Sequence, residues 1–125
     1  MWVVISLSQS FASQLRDYRN EKKLTQDDLA RAIDRNKMSI SMFERGTNAP
    51  PRGELLEKII AALSLSESEA DNLRYLSAKE RNELPNGLED YFFSTEVIMT
   101  FIKAAKSIGL KEEGWISLLK QICEE

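Results

Sequence analysis

The sequence has no histidine and one cysteine, Cys123. A single thiol cannot close an internal disulfide, and without imidazole no plausible zinc ligand set can be assembled, so no metal site is expected. Such cysteine usage fits a reducing, cytoplasmic setting, and Cys123 reads as a small residue on a helix face. Glycine is scarce, with five in the chain, and none forms a phosphate-cradling loop. With no histidine, no such loop and no clustered acid pair, neither enzymatic chemistry nor a cofactor is expected. Long apolar runs are missing too. No stretch reaches the ~18 residues needed to span a bilayer, so no membrane contact is expected. The opening "MWVVISLSQS" holds only the short run Trp2 to Ile5, without a basic flank and too short for a signal-peptide core. Val3, Val4 and Ile5 are β-branched, so residues 1–7 read either as a short N-terminal arm or as a frayed leader.

What remains is an ordinary globular composition, 42% apolar and 30% charged in 125 residues, enough for a core. The net charge of −3 rules out a uniformly basic coat, but the charge is unevenly spread. Residues 16–52 carry nine Lys/Arg against six Asp/Glu, whereas residues 85–125 carry four Lys against seven Asp/Glu. One end can face phosphate and the other cannot easily do so.

The pattern is helical nearly throughout. Phe11, Leu15 and Tyr18 share one face of a first helix, about Ser8 to Lys22. Thr25 with Asp28 is a capping-box variant opening a second, with Leu29, Ala30 and Ile33 on its buried edge. Asn36 caps a short third helix, Lys37 to Arg45, stopped by Gly46. Pro50 and Pro51 break the chain, and Pro51 suits the start of a fourth helix rich in Leu55, Leu56, Ile59, Ile60 and Leu63. Ser66 and Glu69 form a second capping box for a fifth, to about Asn82. After the break at "LPNG" come a turn of helix near Tyr91, a helix from about Thr95 to Ser107, a stop at Gly109 and a last helix from about Glu112 to Ile122. The chain divides near residue 84.

Two short capped helices joined by a tight turn, residues 25–33 and 37–45, have helix-turn-helix geometry, in which the second helix enters a DNA major groove. A plain helical hairpin has the same spacing, so the side-chain chemistry must discriminate. Ile40 and Phe43 are placed to face Leu29 and Ile33. On the opposite side Lys37, Ser41 and Arg45 form a stripe, with Met38 and Met42 beside it. Hydroxyls, cations and flexible apolar tips suit phosphates, base edges and thymine methyls. The blander reading makes Met38 and Met42 gap-fillers in the core and Lys37, Arg45 and Arg52 ordinary solvated charges.

The segments "LTQDDLARAI", "ERG" after the third helix, and Pro51-Arg52, in this order and spacing, resemble the Cro and phage-repressor (XRE) class of helix-turn-helix regulators over roughly residues 11 to 76. The resemblance implies an all-α fold: a five-helix lambda-repressor-like DNA-binding domain, residues 1–84, followed by a C-terminal helical extension, residues 85–125. It implies base-reading positions at Gln26, Lys37, Met38, Ser39 and Met42, with Gln26 also at a phosphate-bonding position. Backbone-contacting positions are implied at Asn36, Arg45 and Arg52, and Ser41 and Asn48 are grouped with them. Arg19 and Glu44 match a structural ion pair tying the first helix to the third. Two positions depart from the pattern. Asp34 stands where the turn usually has glycine, and Arg35 where an apolar residue is usual; its stem either snorkels over the core or marks an unusual turn.

The tail offers Phe101, Ile108, Trp115, Leu118, Leu119 and Ile122 as a dimerisation surface, or else caps the bundle through Phe101 and Trp115. The expectation is a sequence-specific transcriptional regulator, a homodimeric repressor whose partner is double-stranded DNA. The alternative is an antitoxin or adaptor whose C-terminal helices hold a protein partner.

Overall fold

The computed structural model describes residues 9–124; the arm or leader expected at residues 1–7 lies outside the described residues. Among them there are eight helices and no strand. These are α1 Phe11–Glu21, α2 Gln26–Ala32, α3 Lys37–Glu44, α4 Gly53–Ala62, α5 Glu67–Arg81, α6 Glu89–Phe92, α7 Glu96–Ser107 and α8 Glu112–Cys123. The fold is all-α. The described residues fall into two compact units, 9–86 and 87–124.

Four of the five helices of the first unit start where a side chain satisfies an orphan N–H. The Ser10 hydroxyl accepts from the Ser13 amide at 3.1 Å, and the Asn36 carbonyl oxygen from the Ser39 amide at 3.0 Å. Thr25 with Asp28, and Ser66 with Glu69, close complete capping boxes. The backbone N–H of Thr25 holds the Asp28 carboxyl below its ordinary pKa, and that of Ser66 does the same for Glu69. α4 differs. The sequence favoured Pro51 at its first turn, but the helix begins at Gly53 behind Arg52. The Pro51 carbonyl instead accepts from the Ser77 hydroxyl at 2.6 Å, and the Pro50 carbonyl from Arg81 at 2.9 Å, so the proline loop is bonded to α5.

Helix ends in this unit are made largely without glycine. Lys23, Asp34, Ser64 and Asn82 take left-handed φ values of 59°, 57°, 50° and 56° after α1, α2, α4 and α5. The residue after each donates its N–H back across the last turn, as Arg35 does to the Ala30 carbonyl at 2.8 Å, which is the Schellman closure.

α1 packs on α3 and α5, α2 on α3 and α4, and α4 on α5. Their shared core holds Phe11, Leu15, Leu29, Ile40, Leu56 and Leu73, each at most 1% exposed. Arg74 on α5 grips Glu57 on α4 through two hydrogen bonds of 2.7 and 3.0 Å. That guanidinium holds the Glu57 carboxyl below its ordinary value of 4.5.

The second unit is a helical pair, α7 and α8, preceded by the single turn α6. The Phe101 and Trp115 rings face each other with centroids 6.0 Å apart. Gly114 makes room for Leu110, since a Cβ there would lie 2.3 Å from a Leu110 methyl. Ala105 is its one buried hydrophobic residue among the described residues.

Candidate nucleic-acid interface

α2, the turn at residues 33–36 and α3 are set by the core beneath them. Ile40 is fully buried and Phe43 packs partly against the core. These two pin one face of α3 inward, as the apolar spacing requires. The turn between the helices is regular despite lacking glycine. Asp34 supplies the left-handed residue, and Arg35, exposed, follows it without distorting the turn.

Under α3 lies a buried carboxylate. Glu44 is 3% exposed, the one buried acid among the described residues. Arg19 on α1 engages both its oxygens, with Nη2 to Oε1 at 2.8 Å and Nε to Oε2. The Glu44 hydrogen bonds and charge raise the Arg19 pKa further above its ordinary value, so this cation is permanent. Arg19 also donates to the Leu24 carbonyl at 2.8 Å. Arg16 donates to the Glu44 backbone carbonyl at 3.1 Å. The Gln26 amide, at the first position of α2, donates to Glu44 Oε1 at 3.1 Å. One carboxylate thus joins α1, α2 and α3. Sequence reasoning found Arg19 and Glu44 but passed over Arg16, which lies one turn before Arg19 on the same helix face; that i, i+3 repeat of arginine was the available signal.

The opposite face of α3 points to solvent. Lys37, Met38 and Arg45 are exposed, Met38 at 59%, while Ser39, Ser41 and Met42 are half-buried. Met38 is not a core residue. The Ser39 hydroxyl donates to the Asn36 side-chain Oδ1 at 3.2 Å, a bond that does not use the Asn36 NH2 group. Arg45 Nη2 lies 3.9 Å from the Met38 sulfur and Asn48 Nδ2 3.8 Å from the Met42 sulfur. The structure therefore brings Gln26, Asn36, Lys37, Met38, Ser39, Ser41, Met42, Arg45 and Asn48 together on or beside one helix. Arg52, the N-cap residue of α4, donates its guanidinium N–H to Glu83 at 2.8 Å. Beside it, the Asn86 side chain bonds both the N–H and the C=O of Gly53, at 3.2 and 3.1 Å.

The profile of a helix-turn-helix domain matches residues 10–73, about half of the chain. The chain belongs to the helix-turn-helix domain family. No curated protein and no solved structure matches it beyond that. The matched residues take in the whole of α1 to α4, so the helix-turn-helix proper, α2 and α3, sits inside its supporting scaffold. No helix among the described residues is long and apolar enough to cross a membrane. Among the described residues, no three acidic or cysteine side chains converge to hold a metal ion.

Proposed function

We propose that this helix-turn-helix protein is a sequence-specific DNA-binding transcriptional regulator of the Cro and phage-repressor (XRE) class. It acts as a homodimeric repressor in the cytoplasm and has no catalytic activity. The observation that carries this reading is the two-sidedness of α3. Its apolar face and Glu44 are buried, and Lys37, Met38 and Arg45 are turned outward. Gln26, Lys37, Met38, Ser39 and Met42 read base edges in the major groove, and Asn36, Ser41, Arg45, Asn48 and Arg52 meet the phosphates. Residues 1–84 form the DNA-binding domain and residues 85–125 the dimerisation segment. That second assignment is supported by the exposure of Phe101 at 49%, Ile108 at 76% and Ile122 at 71%, an apolar surface that a lone soluble chain rarely shows water. Two such helices ~34 Å apart on a two-fold dimer would occupy a near-palindromic operator.

Selection of bound sequences from random duplex DNA, with the mass of the complex measured, tests the reading. The expected result is a two-fold site holding two chains. Gel-shift titrations then separate the roles: Arg45→Ala and Arg52→Ala weaken binding to all sequences, while Lys37→Ala and Met38→Ala change which bases are preferred. Wild-type affinity in all four variants, or no enriched sequence, would overturn it. The same exposed tail would serve an antitoxin or adaptor holding a different protein. A stable one-to-one complex with a second polypeptide, and no two-fold site, would favour that reading.

A further inference from the structure

The methionines of α3 stand on the face given to base reading, and each sulfur touches a hydrogen-bond donor. Met38 is 59% exposed, with its sulfur 3.9 Å from Arg45 Nη2; the Met42 sulfur is 3.8 Å from Asn48 Nδ2. A thioether is a feeble acceptor, so it leaves both donors available to another oxygen. A sulfoxide is polar and presents a strong acceptor oxygen in the same direction.

We propose that Met38, and secondarily Met42, is a sulfoxidation site through which peroxide weakens DNA binding; this rests on the DNA-reading role given to α3 above. In the reaction a sulfur lone pair attacks one oxygen of hydrogen peroxide. The S–O bond forms as the O–O bond breaks, and the departing hydroxide takes the proton of the transferred oxygen and leaves as water. Sulfur loses two electrons and the peroxide gains them. The product has two consequences for the interface. The sulfoxide oxygen on Met38 accepts from the Arg45 guanidinium in a charge-assisted bond, drawing it off phosphate. The apolar tip that suits a thymine methyl is lost as well. Met38 is the primary site because it is 59% exposed whereas Met42 is half-buried.

The test uses the full chain, titrated with hydrogen peroxide and then treated with dithiothreitol, which reverses cysteine disulfides and sulfenates but not sulfoxides. Peptide mass spectrometry follows one added oxygen on Met38, Met42 and Met99, the last 40% exposed and remote in sequence from α3. Gel shifts at several salt concentrations use duplex bound by the untreated protein. Met38 sulfoxide is expected to appear at least as early as Met99 sulfoxide. DNA affinity is expected to fall about tenfold, with the salt slope shallower by about one unit. Met38→Leu has an apolar tip that peroxide cannot oxidise; compared with itself before treatment, it is expected to lose markedly less affinity than the wild type does, the residual loss following Met42 oxidation. Full Met38 oxidation with unchanged affinity and slope would overturn the inference, as would equal losses in Met38→Leu. Failure of the untreated protein to bind any duplex would instead overturn the DNA-reading role itself, and this inference with it.

Discussion

The two units of this chain are built from the same helical grammar and end in opposite conditions. In residues 9–86 the large apolar side chains, Met38 apart, are drawn from water: Leu15, Leu29, Ile40, Ile59 and Leu73 are 0% exposed. In residues 87–124, of α6, α7 and α8, α7 alone starts behind a side-chain cap, Thr95, and Val97, Phe101, Ile108 and Ile122 remain 49–76% exposed. The ion pairs divide in the same way, since all those among the described residues lie in the first unit. Five helices crossing one another enclose a core, whereas two helices side by side cannot cover both their faces. The first unit encloses its own core, and the second leaves much of its apolar surface in water.

The sharpest way to break that contrast is to delete the same atoms from both units. Leu73→Ala leaves a cavity among fully packed neighbours and is expected to cost about 2–5 kcal/mol. Leu119, 36% exposed on α8, already meets water. At protein concentrations too low for association, Leu119→Ala is expected to cost less than about 1 kcal/mol. Urea unfolding of both variants followed by circular dichroism checks this. Equal losses at high dilution would mean that the tail is as enclosed as the core.

Acid sharpens the contrast further. Asp28, Glu57 and Glu69 in the first unit have carboxyls held below their ordinary values, Glu57 by Arg74 and the other two chiefly by capping N–H groups. A group whose pKa is lowered by folding stabilises the fold fully above its unfolded value, and that stability fades as pH falls through the folded value. The ordinary values are 3.8 for Asp and 4.5 for Glu, so the first unit should weaken progressively below about pH 4.5. Glu57 is 42% exposed, and solvent screening limits its share to on the order of 1 kcal/mol or less. Glu57→Gln is expected to flatten the stability-against-pH curve between pH 5 and 3. An unchanged slope in that variant would show that the Arg74 pair is not felt in solution.

The helices themselves were legible because their causes are local. Thr25, Asn36 and Ser66 cap where a short polar side chain precedes a periodic run, and the left-handed stop at Asp34 follows from one residue's tolerance of positive φ; the first helix, expected from about Ser8, instead starts at Phe11 behind Ser10. The surface chemistry of α3 was legible for the same reason, as periodicity assigns each residue a face. The rest depends on distances across the fold. Nothing in the order of residues shows that Gln26 would bond Glu44, that Arg52 would pair with Glu83 thirty-one positions away, or that Arg45 would reach the Met38 sulfur. The carboxylate of Glu83 beside Arg52 was not legible, because a sequence gives the charge of a side chain and not its neighbour.

The smallest effect concerns the helix stops. Ser64 holds φ of 50° between α4 and α5 with no side-chain role in the closure, which runs from the Leu65 N–H to the Ile60 carbonyl at 3.3 Å. A left-handed residue bearing a Cβ costs about 1–2 kcal/mol. Glycine removes that strain but gives back about 0.5–1 kcal/mol through the extra freedom of the unfolded chain. Ser64→Gly should therefore stabilise the first unit by about 0.5 kcal/mol, a rise of a few degrees in its unfolding midpoint. The equivalent stop in the second unit is already glycine, at Gly109 with φ of 68°. There Gly109→Ser should lower stability by a similar amount, seen as lost α7 and α8 helicity. Differential scanning calorimetry of the pair decides the point: if both changes shift the midpoint in the same direction, backbone strain is not what distinguishes these two stops.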